Sequence, residues 1–259
     1  TPQVLQTLGK TWQPFGGSGY LVLLLLLGLV VVLSAGLILL PLAWRRDKRK
    51  GAAAIGRSFV SLRLFLYFAL LGLGFLFVEI SLLQRFILYL GQPAYAFAVV
   101  VSALLVASGT GSRFLSERVS LRAALPLAAA LAMAYPALLP PLFKVTLALP
   151  FAGRVALAVA ALFPLGALLG VPFPRGLALA EGASPGLTPW LWGINGCASV
   201  VSAVLAAMLA LAWGFSAVLW SAALAYALAG GVAWPLEGPG GLFAAGKGDK
   251  PDAAPVKAI

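Results

Sequence analysis

Apolar residues in this chain run unbroken over lengths that no soluble element uses, and polar residues collect in the gaps between them. The run LVLLLLLGLVVVL, which opens the first apolar stretch, shows neither the two-residue alternation of a half-buried strand nor the polar stripe of a surface helix. A bilayer core about 30 Å thick asks for about 20 apolar residues per helix. That ruler predicts seven spans: Tyr20 to Leu42, Leu62 to Leu83, Ala94 to Phe114, Leu121 to Leu142, Val155 to Phe173, Leu191 to Trp213 and Ser216 to Trp234. A membrane β-barrel needs short alternating segments, which these runs exclude. The expectation is an all-α, polytopic transmembrane helix bundle over residues 20–234, with an extramembrane lead-in at 1–19 and a disordered basic tail at 235–259.

Composition supports this and subtracts chemistry. The chain is 62% hydrophobic and 10% charged, with mean hydropathy +1.02, outside the range of ordinary soluble domains. It has one cysteine, Cys197, and no histidine. That removes internal disulfides, Cys-cluster metal sites and every Ser/His or Cys/His dyad. No catalytic, cofactor-binding or metal site is expected in these residues. A net charge of +11 does not point to nucleic acid, because the basic residues sit between apolar runs rather than among aromatics on a polar face.

Those basic residues predict orientation. With seven spans, Arg45, Arg46, Lys48, Arg49, Lys50, Arg57, Arg63, Arg113, Arg118, Arg122, Arg175, Lys247, Lys250 and Lys257 fall on one side, and Lys10, Arg85, Lys144 and Arg154 on the other. The positive-inside rule puts the first set in the cytoplasm and the N-terminus outside, in a bacterial inner membrane. The opening TPQVLQTLGKTWQPFGGSG lacks the basic and cleavage features of a signal peptide and reads as the continuation of something longer.

Glycine patterns that mimic phosphate loops do not have the required surroundings. GLFAAGKG lacks the closing Ser or Thr and a following helix, and PFGGSGY and SGTGSR lack a βαβ unit. Small residues at helical spacing are packing faces instead: Gly166 with Gly170, Ala107 with Gly111, and the stripe Asn195, Ser199, Ala203, Ala207. Prolines 136, 140, 141, 164, 172 and 174 mark places where spans kink or break.

Glu79 is the carboxylate in the apolar stretch GFLFVEISLLQRF. A charge in a span costs about 2.5–3.5 kcal/mol at the centre, so it needs a partner or a task. Counting from Arg63 at 1.5 Å per residue places Glu79 about 24 Å along its helix, in the outer part of the bilayer. Arg85, about 9 Å further, is turned about 600° from it and is expected to reach the outer headgroups. Two polar layers follow. The outer candidate site is Glu79, Gln84, Arg85 and Tyr95; the inner one is Asn195, Ser199, Arg113 and Arg175. Depth keeps Glu79 and Asn195 apart.

Four stretches carry a resemblance: GLGFLFVEISLLQRFILYLGQPAYAFAVVVSALLVASGTGS, LFPLGALLGVPFPRGL, PWLWGINGCASVVSAVLA and the opening TPQVLQTLGKTWQPFGGSGY. Together they resemble the membrane part of bacterial spermidine synthase-like proteins, in which a transporter-like bundle is fused to a spermidine synthase domain. The resemblance implies a C-terminal membrane domain acting as anchor or scaffold, with a preceding Rossmann-like domain or a membrane protein as partner beside the lipid bilayer. It transfers no catalytic residue, because the aminopropyltransferase-like part is not in this chain. The competing expectation is a transporter-like module that moves a cation or polyamine using Glu79.

Overall fold

The structure, a computed structural model, describes residues 18–44, 52–183 and 186–235. The first basic loop, most of the lead-in and nearly all of the predicted tail lie outside them. Among the described residues seven α-helices follow in order: α1 (Ser18–Trp44), α2 (Ala52–Leu90), α3 (Pro93–Thr110), α4 (Leu121–Thr146), α5 (Phe151–Leu169), α6 (Pro172–Ala183) and α7 (Thr188–Ala233). The first turn after α3, Gly111–Leu115, is π-helical. Among the described residues six helical segments are long and apolar enough to cross a membrane. The protein is an all-α bundle of membrane-spanning type.

The seven predicted spans appear within six segments because the last two are joined. α7 has 46 residues, about 69 Å if straight, more than twice the bilayer core. It is not straight: Gly214 stands at φ 80°, ψ 169°, a conformation open to glycine and costly to other residues. Residues 188–213 (α7a) run alongside α2 in the same direction, bringing Asn195 to Phe68 and Ser199 to Gly72, and just past the bend Ser216 meets Arg85. After the bend, residues 215–233 (α7b) run back, bringing Tyr226 to Gly74. α7 is therefore a helical hairpin, with its turn between the predicted spans.

Prolines behave unevenly. α4 continues through Pro126, Pro136, Pro140 and Pro141, and α5 continues through Pro164. The predicted span Val155 to Phe173 does break, at Gly170, and Pro172 starts α6 beyond it. Proline at the first helical position gives up only an N–H that would have no intrahelical partner. At the other end of the bundle Gly91, at φ 83°, ends α2, and Pro93 starts α3.

α2 is the central helix. Leu64, Phe68, Val78, Leu82 and Phe86 are fully buried along it, and it packs against α3, α5, α6 and both arms of α7. α1 stands at the edge, packed on α7, with an apolar surface left for lipid. Arg113, Arg118, Arg122 and Arg175 lie at one end of the bundle, hereafter the basic end; Arg85, Lys144 and Arg154 lie toward the other.

Candidate functional site

Small residues bring backbones together at the α3/α5 contact. A Cβ on Gly166 would sit 2.7 Å from the Ala107 Cβ. One on Gly170 would strike the Ser108 carbonyl oxygen, and one on Gly111 the Ala167 carbonyl oxygen. The two small-residue pairs predicted as packing faces are thus each other's partners. On α7a the third predicted stripe follows α2 only in part. Asn195 and Ser199 face α2, and the contact then passes to the buried Ser202, while Ala203 and Ala207 are half-buried. A strict four-residue step turns 40° past each full turn and drifts off a face, whereas alternating steps of four and three stay on it.

Along this contact side chains bind backbone oxygens. Asn195 Nδ2 donates to the Phe68 carbonyl at 3.0 Å, Ser199 Oγ to that of Gly72 at 3.3 Å and Ser202 Oγ to that of Leu73 at 2.8 Å. The single Ser199 proton is shared between the Gly72 carbonyl and the nearer Asn195 carbonyl of its own helix, 3.0 Å away. Gly72 allows the approach, since a Cβ there would strike the Asn195 carbonyl.

Arginines tie helix ends to other helices. Arg154 donates to the Tyr89 carbonyl at the end of α2, 2.9 Å away. Arg122 donates to the Trp234 carbonyl at 3.1 Å, with its guanidinium 4.5 Å from that indole. Arg175 donates to the Val119 carbonyl before α4. Cations suit the negative, carbonyl ends of helices. Arg85 departs from the expected reach to headgroups: its Nη2 turns into the bundle and donates to Ser216 Oγ at 2.6 Å, beside the Gly214 bend. Ser216 at the bend supplies an acceptor that lipid does not.

The outer candidates do not form one site. Glu79 is half-buried and makes no hydrogen bond or ion pair with a described residue. Gln84 is half-buried on the same helix. Tyr95 packs edge-on to Phe151, with ring centres 5.4 Å apart, and lines a cavity of about 440 Å3 with Gln92 and Arg154. The inner candidates are split too: Asn195 and Ser199 join α7a to α2, Arg175 caps a loop, and Arg113 lies 5.8 Å from the Phe114 ring. Asn195 bonds eleven residues before Glu79 on α2, about 16 Å along the axis.

One cavity gathers polar groups from α3, the π-helical turn after it and both arms of α7. It measures about 570 Å3 and lies between α2, α3, the α5/α6 junction and both arms of α7. Ser108, Ser112 and Asn195 line it beside Phe75, Trp192 and Tyr226. Tyr226, absent from both predicted layers, is 1% exposed, with its ring over Gly74. Leu71 and Phe75 line the cavity from α2, and Glu79 follows one turn later on that helix, about 6 Å beyond Phe75 along the axis. Compared with known proteins, the chain matches no family model, no curated protein and no solved structure.

Proposed function

We propose that this chain is a membrane anchor and scaffold for a spermidine synthase-like domain, seated in a bacterial inner membrane with its basic end toward the cytoplasm. The carrying observation is how the polar side chains are used. Asn195, Ser199, Ser202, Arg85, Arg154 and Arg175 each donate to another segment of the bundle. These are framework contacts, and they favour a rigid platform. The test co-expresses a soluble spermidine synthase-like domain with and without the chain and fractionates the membranes. Retention of the domain only when the chain is present supports anchoring; equal recovery in the soluble fraction overturns it.

A second reading, a transporter-like module for a cation or polyamine, is favoured by the position of Glu79 one turn beyond the cavity wall formed by Leu71 and Phe75. Uptake of labelled polyamine into vesicles discriminates the two. Uptake above protein-free vesicles, lost in Glu79→Gln, supports transport, and no uptake above that background sinks it.

A further inference from the structure

We propose that the 570 Å3 cavity is a binding site for a small aromatic or aliphatic ligand carrying a protonated amine. The inference goes beyond anchoring and does not require transport. Its size falls in the range of small-molecule sites, about 300–1,000 Å3.

The chemistry of the wall selects the ligand. The Tyr226 hydroxyl has no partner among the described residues although the side chain is almost wholly buried. The hydroxyl is not among the buried atoms that lack a partner, so it keeps access to the cavity, where an occupant can bond to it. Asn195 uses an amide N–H on the Phe68 carbonyl. A carbonyl can only accept, which fixes the amide orientation and leaves Asn195 Oδ1 as an acceptor with no donor among the described residues. Ser108 donates its proton to the Leu105 carbonyl at 3.1 Å, leaving its own oxygen lone pairs for another donor. The wall therefore offers spare acceptors, and an ammonium group has only donors.

The aromatic groups agree. Phe75, Phe173, Trp192 and Tyr226 all line the cavity, and Phe173 meets Trp192 edge-on at 4.6 Å. Ring faces attract cations, most strongly where water is scarce. Among the described residues no lysine or arginine lines the cavity. The nearest along the chain are engaged elsewhere, Arg113 beside Phe114 and Arg175 on Val119. An anion would meet no opposite charge in the wall, and a purely apolar occupant would leave Tyr226 and Asn195 unsatisfied.

The test is calorimetric titration of the purified full chain in detergent micelles with benzylammonium, using benzyl alcohol and benzoate as its neutral and anionic counterparts. Saturable benzylammonium binding is expected, at least tenfold tighter than either counterpart. Tyr226→Phe, which removes no hydrogen bond with a described residue, should weaken it about fivefold, the value of one hydrogen bond. Trp192→Leu should weaken it by about three- to tenfold through the lost ring face, while the lipid-facing Leu88→Ala leaves it unchanged. Absence of saturable binding by folded protein, equal binding of benzyl alcohol, or full affinity in Tyr226→Phe overturns the proposal. Loss of domain retention with amine binding intact would sink the anchoring role alone.

Discussion

The α3/α5 and α2/α7a contacts both join helices that run in the same direction, and they hold by different means. Along α3 and α5 the backbones themselves meet, with Gly111 and Gly170 each facing a carbonyl of the opposite helix and, among the described residues, no side-chain hydrogen bond across the contact. Along α2 and α7a one close approach at Gly72 is joined by three donors, from Asn195, Ser199 and Ser202. Lipid supplies no hydrophobic drive for helices to associate, so contact area and hydrogen bonds must do so. The first pair maximises contact area; the second adds direction. A dispersive contact is sensitive to a single added methyl, whereas a set of three bonds tolerates losing one.

That difference can be broken at its strong end first. Gly170→Ala and Gly111→Ala each put a methyl group onto a backbone carbonyl, which cannot move away as a side-chain tip can. Each should cost about 1–3 kcal/mol, read as a lowered unfolding midpoint in detergent, and the double variant should depart from additivity because both act on one contact. Full stability in both would show that the α3/α5 approach is not needed.

Gly214→Ala is expected to cost a similar amount, about 1–3 kcal/mol, because the bend holds φ at 80°. Its effect should fall on the hairpin. Cysteine cross-linking between positions 85 and 216, where Arg85 and Ser216 now meet, should decline while cross-linking between 107 and 166 stays.

Smaller effects belong to the hydrogen-bonded pair. Asn195→Ala should cost about 0.6–1.7 kcal/mol, and Ser202→Ala about 0.6 kcal/mol, the usual range for polar contacts within membranes. If either exceeded the Gly170→Ala cost in the same denaturation assay, the ordering of the two pairs would be wrong. The smallest change is Ser81→Ala. Ser81 is fully buried and its Oγ has no hydrogen-bond partner, so its removal should leave stability unchanged or raise it by a few tenths of a kcal/mol.

Much of the fold is legible in the order of residues. The apolar runs marked the helices, and Gly166/Gly170 and Ala107/Gly111 were visible as packing faces, though not as partners of each other. Proline was a poor guide to breaks. α4 keeps its helix through four prolines, while α5 ends at Gly170, because the consequence of a missing N–H depends on what else can meet the freed carbonyl. The polar candidates were legible as residues and not as a constellation. Glu79, Gln84, Arg85 and Tyr95 lie at one level by counting, but Arg85 turns to Ser216 and Tyr95 to Phe151. Tyr226 carried no local signal at all, since its meaning comes from Gly74 on another helix and from the cavity beside it.

Sequence by itself determined the class of this protein: hydrophobic length must match bilayer thickness, and backbone groups in lipid must be satisfied within helices, so seven apolar runs leave an α-helical bundle as the outcome. It also fixed the sparse chemistry, because absent histidines cannot be supplied by folding. Only the tertiary structure decided which small residues face each other, that α7 doubles back at Gly214, and that Ser108, Asn195, Trp192 and Tyr226 share one cavity. These depend on helix rotation and neighbour choice, which a nearly uniform apolar surface does not encode locally and which close packing among distant residues settles.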